Sequence, residues 1–365
     1  MTAGIVLERT NKTLMIGTMV MALDPVFAGK LDADMRKVLE AQDAMGARPL
    51  GETSVEAART QPSPSMAMKA VLAENGKEPD PSLGVSTQDL TIPGPLSDIS
   101  ARLYAPQGHK ADTAKPLPVV VYFHGGGFVF GGLDGVDGKV RAIANRANCL
   151  VVSCTYRLAP EHKFPASHMD AFAAYSWVVD NAASFGGAPK NVAVMGESAG
   201  ANLAANVAIL ARDSQHKPGQ DHAAVKCPVY MVLVYPIAGA DMTTLSYTDN
   251  PNAVPLNKEG MAWFFDQALE TDGDRLDPMI NLIDANLSGL PDATVILAEL
   301  DPLKSEGEAL AQKLEDAGAE VRSMVFKGVP HGFFGLGRAV KKAFLAEEMA
   351  VHNLKRAFGT ALLPI

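Results

Sequence analysis

Short apolar runs separated by helical segments are the feature that most constrains the fold of this chain. Several runs, such as Val119-Val120-Val121, are apolar at every position, which is typical of strands buried on both faces of a parallel sheet. Because helical patterns lie between most of the runs, the sequence predicts an α/β fold with a mostly parallel sheet flanked by helices. Eight strands are predicted, at 87–92, 99–104, 118–123, 150–156, 192–195, 229–235, 293–297 and 321–326.

Two stretches do not follow this alternation. Residues 1–65 have helical patterns, and an insertion at about 237–280 contains the apolar cluster Met261-Ala262-Trp263-Phe264-Phe265. Open α/β sheets bind ligands at the carboxyl ends of their strands, so both stretches are predicted to form a helical cap there. The expected organisation is an N-terminal cap portion at 1–65 and an α/β domain at 66–365 that carries the insertion.

The N-terminus admits two interpretations. Arg9 and Lys12 precede an apolar run at 13–23, which resembles a signal peptide ending near Ala28 and would make the protein secreted or periplasmic. The favoured interpretation is a helix capped by Asp24, which makes a cytoplasmic location the expectation. That helix would place five apolar side chains on one face, namely Phe27, Leu31, Met35, Val38 and Leu39.

Charge and cysteine content narrow the class of partner. The 365 residues include 32 Lys and Arg against 41 Asp and Glu, a formal net charge of -9. This balance gives no attraction for nucleic acid or anionic membranes, and no other stretch is long enough to span a membrane, so a small-molecule partner is expected. Three cysteines, Cys149, Cys154 and Cys227, provide no disulfide framework, which favours a reducing compartment.

A serine lies between two glycines where a strand turns into a helix. The motif Gly196-Glu197-Ser198-Ala199-Gly200 follows an apolar run and precedes a helical one. Glycines permit the tight turn that presents a serine hydroxyl at the positive end of a helix, so the motif predicts a nucleophile at Ser198. The alternative is an ordinary strand-to-helix turn with a capping serine.

A second glycine motif follows the third strand. His124-Gly125-Gly126-Gly127-Phe128 leaves backbone N–H groups bare, as an oxyanion hole opposite a nucleophile requires. A flexible loop or a phosphate-binding loop is the alternative, although the Lys-Ser/Thr pair of a phosphate loop is missing. His124 is expected to hold this loop in place rather than act as a base.

A base and an acid follow the last two strands. His331 lies on a loop after the eighth strand, and Asp301 follows the seventh, so both can reach the carboxyl edge of the sheet. Glu299 is the alternative acid, and the choice depends on where the strand ends. The other histidines and the cysteines show no metal-ligand spacing, so neither a metal nor a cofactor is expected.

Together these motifs resemble the hormone-sensitive lipase family of α/β-hydrolase carboxylesterases. The resemblance covers about residues 21–357 and implies the α/β-hydrolase fold, with the catalytic domain at 66–365 and a cap built from the N-terminal helices and the insertion. It rests on five blocks in order: 124–128 with Gly131-Gly132, Tyr156-Arg157-Leu158-Ala159-Pro160-Glu161-His162, 196–200, Asp301-Pro302-Leu303, and His331-Gly332-Phe333.

The family implies a role for each matching residue. Ser198 would be the nucleophile, His331 the base and Asp301 the orienting acid. The amides of Gly126, Gly127 and Ala199 would form the oxyanion hole, and the substrate pocket would include Phe128, Met261, Trp263 and Phe264. Three sites depart from the usual pattern: Glu197 replaces the more frequent Asp or Thr, Ala201 replaces a frequent glycine, and Lys304-Ser305 replace Arg-Asp.

The expected activity is hydrolysis of short- to medium-chain carboxylic esters through an acyl-enzyme. An amidase or thioesterase with the same triad is the alternative within the hydrolases, because the triad does not select the leaving group. A non-hydrolytic receptor with a closed cap is the alternative outside them. Homodimers are common among similar proteins, so a homodimer is possible here.

Overall fold

The sheet contains all eight predicted strands and is parallel beyond its first two. The computed structural model describes residues 23–76, 84–110, 114–215 and 224–361. In the sheet order β1-β2-β4-β3-β5-β6-β7-β8, the β1–β2 and β2–β4 pairs are antiparallel and the others are parallel. The strands are β1 (Ser86–Ile92), β2 (Ile99–Ala105), β3 (Leu117–Phe123), β4 (Leu150–Cys154), β5 (Gly187–Glu197), β6 (Met231–Val234), β7 (Ala293–Leu300) and β8 (Val321–Pro330).

The helices lie before the sheet, between its strands and after it. Within the described ranges, four short 3-10 segments accompany them, at Leu50–Glu52, Ala182–Phe185, Asp272–Leu276 and Leu282–Asp284. The α-helices are α1 (Pro25–Lys30), α2 (Ala33–Ala44), α3 (Val55–Thr60), α4 (Pro64–Glu74), α5 (Leu133–Ala147), α6 (Ala166–Asn181), α7 (Ala199–Ser214), α8 (Leu245–Asp249), α9 (Lys258–Ala268), α10 (Lys304–Asp316) and α11 (Lys341–Ala357).

Two apolar cores lie on opposite faces of the sheet. Side chains alternate along a strand, so Val119 and Val121 of β3 face one core while Val120 and Tyr122 face the other. Helices α6, α7 and α10 cover the first face, and α5 and α11 cover the second together with the N-terminal helices α1, α2 and α4. Burial on both faces explains why β3 and β4 are apolar at nearly every position.

The N-terminal region forms two helices where the sequence predicted one. All five apolar residues predicted to share one helix face are buried. The helix is nevertheless interrupted: α1 ends at Lys30 and α2 begins at Ala33. Asp32 starts α2 by accepting hydrogen bonds from the N–H groups of Asp34 and Met35, and its own N–H donates to Gly328 O at 2.8 Å. This bond to the end of β8 requires an extended residue that a continuous helix could not provide.

Asp24 caps α1 as predicted, accepting from the N–H groups of Val26 and Phe27. The possible signal segment at 13–23 lies almost entirely outside the described residues. Across the described ranges, no helix combines the length and the apolar character needed to cross a membrane.

Candidate active site

Ser198 occupies the turn between β5 and α7 in a strained backbone conformation. Its φ of 56° and ψ of −121° are rare for a residue with a side chain. A Cβ on Gly196 would lie 2.1 Å from Gly200 O, and one on Gly200 would lie 2.1 Å from Phe123 O. Both glycines are therefore required for the turn to form against β3. The turn is also fixed from β6, because the Ser198 N–H donates to Val234 O at 2.8 Å.

The structure brings Ser198, His331 and Asp301 into one hydrogen-bonded chain. His331 Nε2 lies 3.0 Å from Ser198 Oγ, and His331 Nδ1 lies 2.7 Å from Asp301 Oδ2. Asp301 is fully buried, and its second oxygen accepts from the Leu303 N–H at 2.9 Å. An Nδ1–H donated to Asp301 leaves Nε2 as the acceptor that faces the serine hydroxyl.

Glu299 serves a different contact. The pairing of β7 with β8 shifts register between Ala298 and Leu300, so Glu299 does not continue the regular alternation. Its Oε2 accepts from the Gly328 N–H at 2.7 Å and thereby holds the end of β8. Of the two candidate acids, Asp301 is the one that contacts the histidine.

His124 holds the glycine loop, in the way the sequence predicts. Its ring is buried and stacks on Tyr156 at 4.4 Å between centroids, and its Nδ1 lies 2.8 Å from Gly125 O. The Tyr156 hydroxyl donates to His124 O at 2.8 Å. Burial lowers the pKa of His124, so the ring is neutral near pH 7.

Backbone N–H groups without an acceptor lie near Ser198. In the described part of the chain, the N–H groups of Gly126, Gly127 and Ala199 donate no hydrogen bond. Gly126 and Gly127 have φ values of 113° and 58°, in the region that favours glycine. A Cβ on Gly125 would lie 3.3 Å from Ser198 Cβ, so the glycine loop passes directly beside the nucleophile.

A large cavity opens above these groups. It has a volume of about 1070 Å³ and is bordered by the glycine loop, Ser198, His331 and the helices of the N-terminal region. Its wall is more apolar than polar, with Leu50, Phe130 and Phe264 among the apolar side chains. The Phe264 side chain, from α9, packs directly against the glycine loop, since a Cβ on Gly127 would lie 2.0 Å from its ring.

Three of the four expected pocket residues lie away from this cavity. Phe128 has a φ of 65°, and its ring lies 5.3 Å from the His168 ring between centroids, outside the set of residues that border this cavity. Met261 is fully buried in the core beneath α9. Trp263 packs edge-on against Phe264, and Phe264 alone of the four borders the cavity.

Two ionic contacts around the site were not predicted. Arg59 on α3 donates to the carboxylate of Glu161 and to Val129 O at 3.0 Å, which ties the N-terminal helices to the chain after the glycine loop. This pairing with Arg59 lowers the pKa of Glu161 to about 2. The second contact joins Glu197, beside the nucleophile, to Lys139. The sequence offers one indication of this contact, because Lys139 lies next to the apolar face of α5.

Comparisons with known proteins agree with the fold. A family model described as alpha/beta hydrolase fold matches residues 120–335. Carboxylesterase NlhH of Mycobacterium tuberculosis is 38% identical over 281 residues, which cover 76% of this chain and 84% of that protein.

Two further relatives cover most of the chain. Ethyl acetate hydrolase of Pseudomonas putida is 32% identical over 341 residues, which cover 92% of this chain and 99% of that protein. The solved structure of an esterase from Pyrobaculum calidifontis superposes with a TM-score of 0.76 at 34% identity, covering 93% of this chain and all of that one.

Proposed function

The chain belongs to the hormone-sensitive lipase type of α/β hydrolases and is a carboxylic ester hydrolase, and from this premise we propose that Ser198, His331 and Asp301 form its catalytic triad. The observation that carries the proposal is the unbroken chain of hydrogen bonds from the Ser198 hydroxyl through His331 to the buried Asp301. Its substrates are soluble esters with short to medium acyl chains.

The reaction proceeds through an acyl-enzyme. Ser198 Oγ attacks the ester carbonyl carbon while His331 Nε2 takes the hydroxyl proton. The tetrahedral intermediate collapses as the imidazolium gives this proton to the leaving alcohol. Water then attacks the acyl-enzyme with His331 again as the base, which releases the carboxylic acid and restores the serine. Asp301 keeps the imidazole in the required tautomer and stabilises its charged form.

The unpaired N–H groups of Gly126, Gly127 and Ala199 are proposed as the oxyanion hole. They belong to the glycine loop that passes beside Ser198 and to the residue that follows Ser198, and Ala199 adds the positive end of the α7 dipole. Each such donor contributes on the order of 3 kcal/mol to stabilisation of the transition state.

The substrate range follows from the cavity and one relative. Apolar side chains such as Leu256 and Phe264 provide a surface for an acyl chain or an alcohol group. The Pseudomonas putida relative is named for hydrolysis of a short ester, ethyl acetate. We further propose that residues 1–65 and the insertion at 237–280 form the cap of the catalytic domain at 66–365, since the described parts of both border this cavity.

The proposal is tested with p-nitrophenyl esters of increasing acyl length and the variant Ser198→Ala. We expect wild-type turnover, with one organophosphate label per chain on Ser198, and loss of both in the variant. A folded variant that keeps full turnover would refute the triad. A preference for long-chain triglycerides would refute the substrate range, and hydrolysis of p-nitroanilides without ester turnover would indicate an amidase instead.

A further inference from the structure

A buried carboxylate lies directly before the nucleophile and is fully hydrogen-bonded. Glu197 Oε1 accepts from the Tyr122 hydroxyl at 3.0 Å, and Oε2 accepts from the Tyr235 hydroxyl at 2.9 Å. Lys139 Nζ lies 2.7 Å from both oxygens. The triad does not use this carboxylate, although it borders the same cavity as Ser198.

The Glu197 carboxylate is ionised despite its burial. Burial raises the pKa of Glu197, but Lys139 and the two tyrosine hydroxyls outweigh it and hold this pKa below its usual range. The side chain of Lys139 is 13% exposed and that of Glu197 is 9% exposed, so water screens their charges weakly. One cation therefore compensates an anion adjacent to the reacting serine.

Both members of the pair also contact the elements that hold His331. The Tyr235 ring, whose hydroxyl binds Glu197, lies 4.4 Å from the His331 ring between centroids. The stem of Lys139 packs under the loop that follows β8, since a Cβ on Gly335 would lie 2.6 Å from Lys139 Cε. A change in the charge of this pair therefore affects the surroundings of His331 as well as those of Ser198.

Other titratable groups face the pair from the neighbouring elements. Among the described residues, Lys139 is the cation that hydrogen-bonds to Glu197: the nearby His124 has its pKa lowered by burial, and Arg146 is paired with Glu347 instead. The groups that interact electrostatically with the pair or with Tyr235 are Tyr122 and His124 at β3, Tyr156 after β4, Asp301 after β7, and Glu347 on α11.

The chemistry gives this compensation a purpose. Ester hydrolysis places a negative charge on the substrate oxygen beside Ser198, and an uncompensated Glu197 anion would oppose that charge in a weakly screened site. We propose that Lys139 is a positioning residue that acts through Glu197, compensating the negative charge of its carboxylate so that the turn at Ser198 can stabilise an anionic intermediate. The proposal rests on the proposed function of Ser198.

The experiment compares kcat and KM of wild type, Lys139→Met, Lys139→Arg and the double variant Lys139→Met/Glu197→Gln between pH 6 and pH 9. In Lys139→Met we expect kcat to fall on the order of tenfold or more at pH 8, with KM changed by less than about threefold. Without the cation, burial raises the pKa of Glu197, so the carboxyl is neutral at low pH and anionic at high pH. The deficit should therefore grow as the pH rises.

The matched variants separate charge from packing. Lys139→Arg keeps the cation and should retain most activity, and the double variant removes both charges and should recover activity at pH 8 with no growing deficit. Equal losses in the single and double methionine variants at every pH would overturn the proposal, because the lysine stem alone would then matter.

Folding and activity controls make every outcome decisive. Thermal melting shows whether each variant folds. If Lys139→Met fails to fold while the double variant folds and hydrolyses esters, charge compensation is supported. If neither variant folds, the packing of the aliphatic stem of Lys139 accounts for the effect and the proposal fails. Wild-type protein without ester turnover, or an active Ser198→Ala, would instead refute the proposed function.

Discussion

At the scale of single residues, the site depends on which of two nearby acids contacts the histidine. Asp301 and Glu299 are two positions apart, and sequence alone left both open. The register shift in β7 separates them: Asp301 Oδ2 lies 2.7 Å from His331 Nδ1, whereas Glu299 binds the Gly328 N–H. Their equal charge and close spacing make them a matched pair for mutation.

We expect Asp301→Asn to lower kcat by about 10³- to 10⁴-fold with little change in KM. The amide would donate to His331 Nδ1 and favour the tautomer whose Nε2 carries the proton, which cannot accept the serine proton. Steady-state kinetics with a p-nitrophenyl ester measures the effect.

Glu299→Gln is the control, because its amide oxygen can still accept from the Gly328 N–H. Its kcat should stay within about threefold of wild type, since an uncharged acceptor preserves the contact that fixes β8. A loss in Glu299→Gln as large as that in Asp301→Asn would contradict the assignment of Asp301 as the orienting acid.

The sequence predicts the location of those site residues whose position follows from local chain geometry. Ser198 lies between glycines at a strand-to-helix turn, and His331 follows a strand end, so both could be placed at the carboxyl edge without a structure. The Lys139–Glu197 contact joins residues 58 positions apart, and no spacing rule predicts it. The contact of the Phe128 ring with His168 also has no local signal, because it follows from the fold of the glycine loop, in which Phe128 has a positive φ.

At the scale of elements, the apolar runs predicted that the strands exist more accurately than they predicted where each strand begins and ends. The strand β5 begins at Gly187, before the predicted start at 192, because Leu117 pairs with Gly187 and Val119 with Val192. The residues between these pairs include Pro189 and the polar pair Lys190-Asn191, so composition does not mark them as a strand. The N-terminal helix broke at Leu31 for a similar reason, a tertiary hydrogen bond that no local pattern encodes.

Helix α7 also joins both ends of the insertion. The side-chain amide of Asn202, one turn after Ser198, donates to Ile237 O at 3.0 Å and to Ile280 O at 3.3 Å. Its oxygen lies 2.9 Å from Nε2 of the buried His168. One side chain thus connects the nucleophile helix to the points where the 237–280 segment leaves the fold and returns.

Replacement of this amide should destabilise the protein. Asn202→Ala leaves buried carbonyls and a histidine nitrogen without their partner, at a cost of about 2 to 3 kcal/mol in the free energy of unfolding. Urea denaturation of both proteins measures the difference. Asn75→Ala is the control, because Asn75 is exposed and bonds locally to Val71 O, and it should cost less than about 1 kcal/mol. Equal costs would show that the interior network is not a stabilising link.

At the scale of the whole molecule, the site is assembled from strand ends that are distant in sequence. The glycine loop follows β3, Ser198 follows β5, Asp301 follows β7 and His331 follows β8, so the parallel sheet brings them to one edge. The N-terminal helices are tied to this edge by Arg59 and by the Asp32 bond to Gly328. The geometry of the site therefore depends on the folding of the sheet.

Buried His168 makes this stability depend on pH. It lies beneath the glycine loop between Phe128 and Phe164, and burial lowers its pKa from 6.5 to about 4. Between these values the unfolded chain binds a proton that the folded chain does not, so the contribution of His168 to stability falls as the pH drops through this window. A shift of this size corresponds to about 3 kcal/mol.

His168→Gln removes the titrating group while its amide can still donate to Asn202 Oδ1. We expect the difference in unfolding free energy between wild type and this variant to move by about 3 kcal/mol in favour of the variant from pH 7 to pH 4. Because both proteins share every other titrating group, the difference isolates the histidine from the buried carboxyl groups of Glu306 and Glu347, whose raised pKa values act in the opposite direction. Urea denaturation at each pH measures it. Parallel curves for wild type and His168→Gln would contradict the prediction, because this ring would then take up its proton equally in the folded and the unfolded chain.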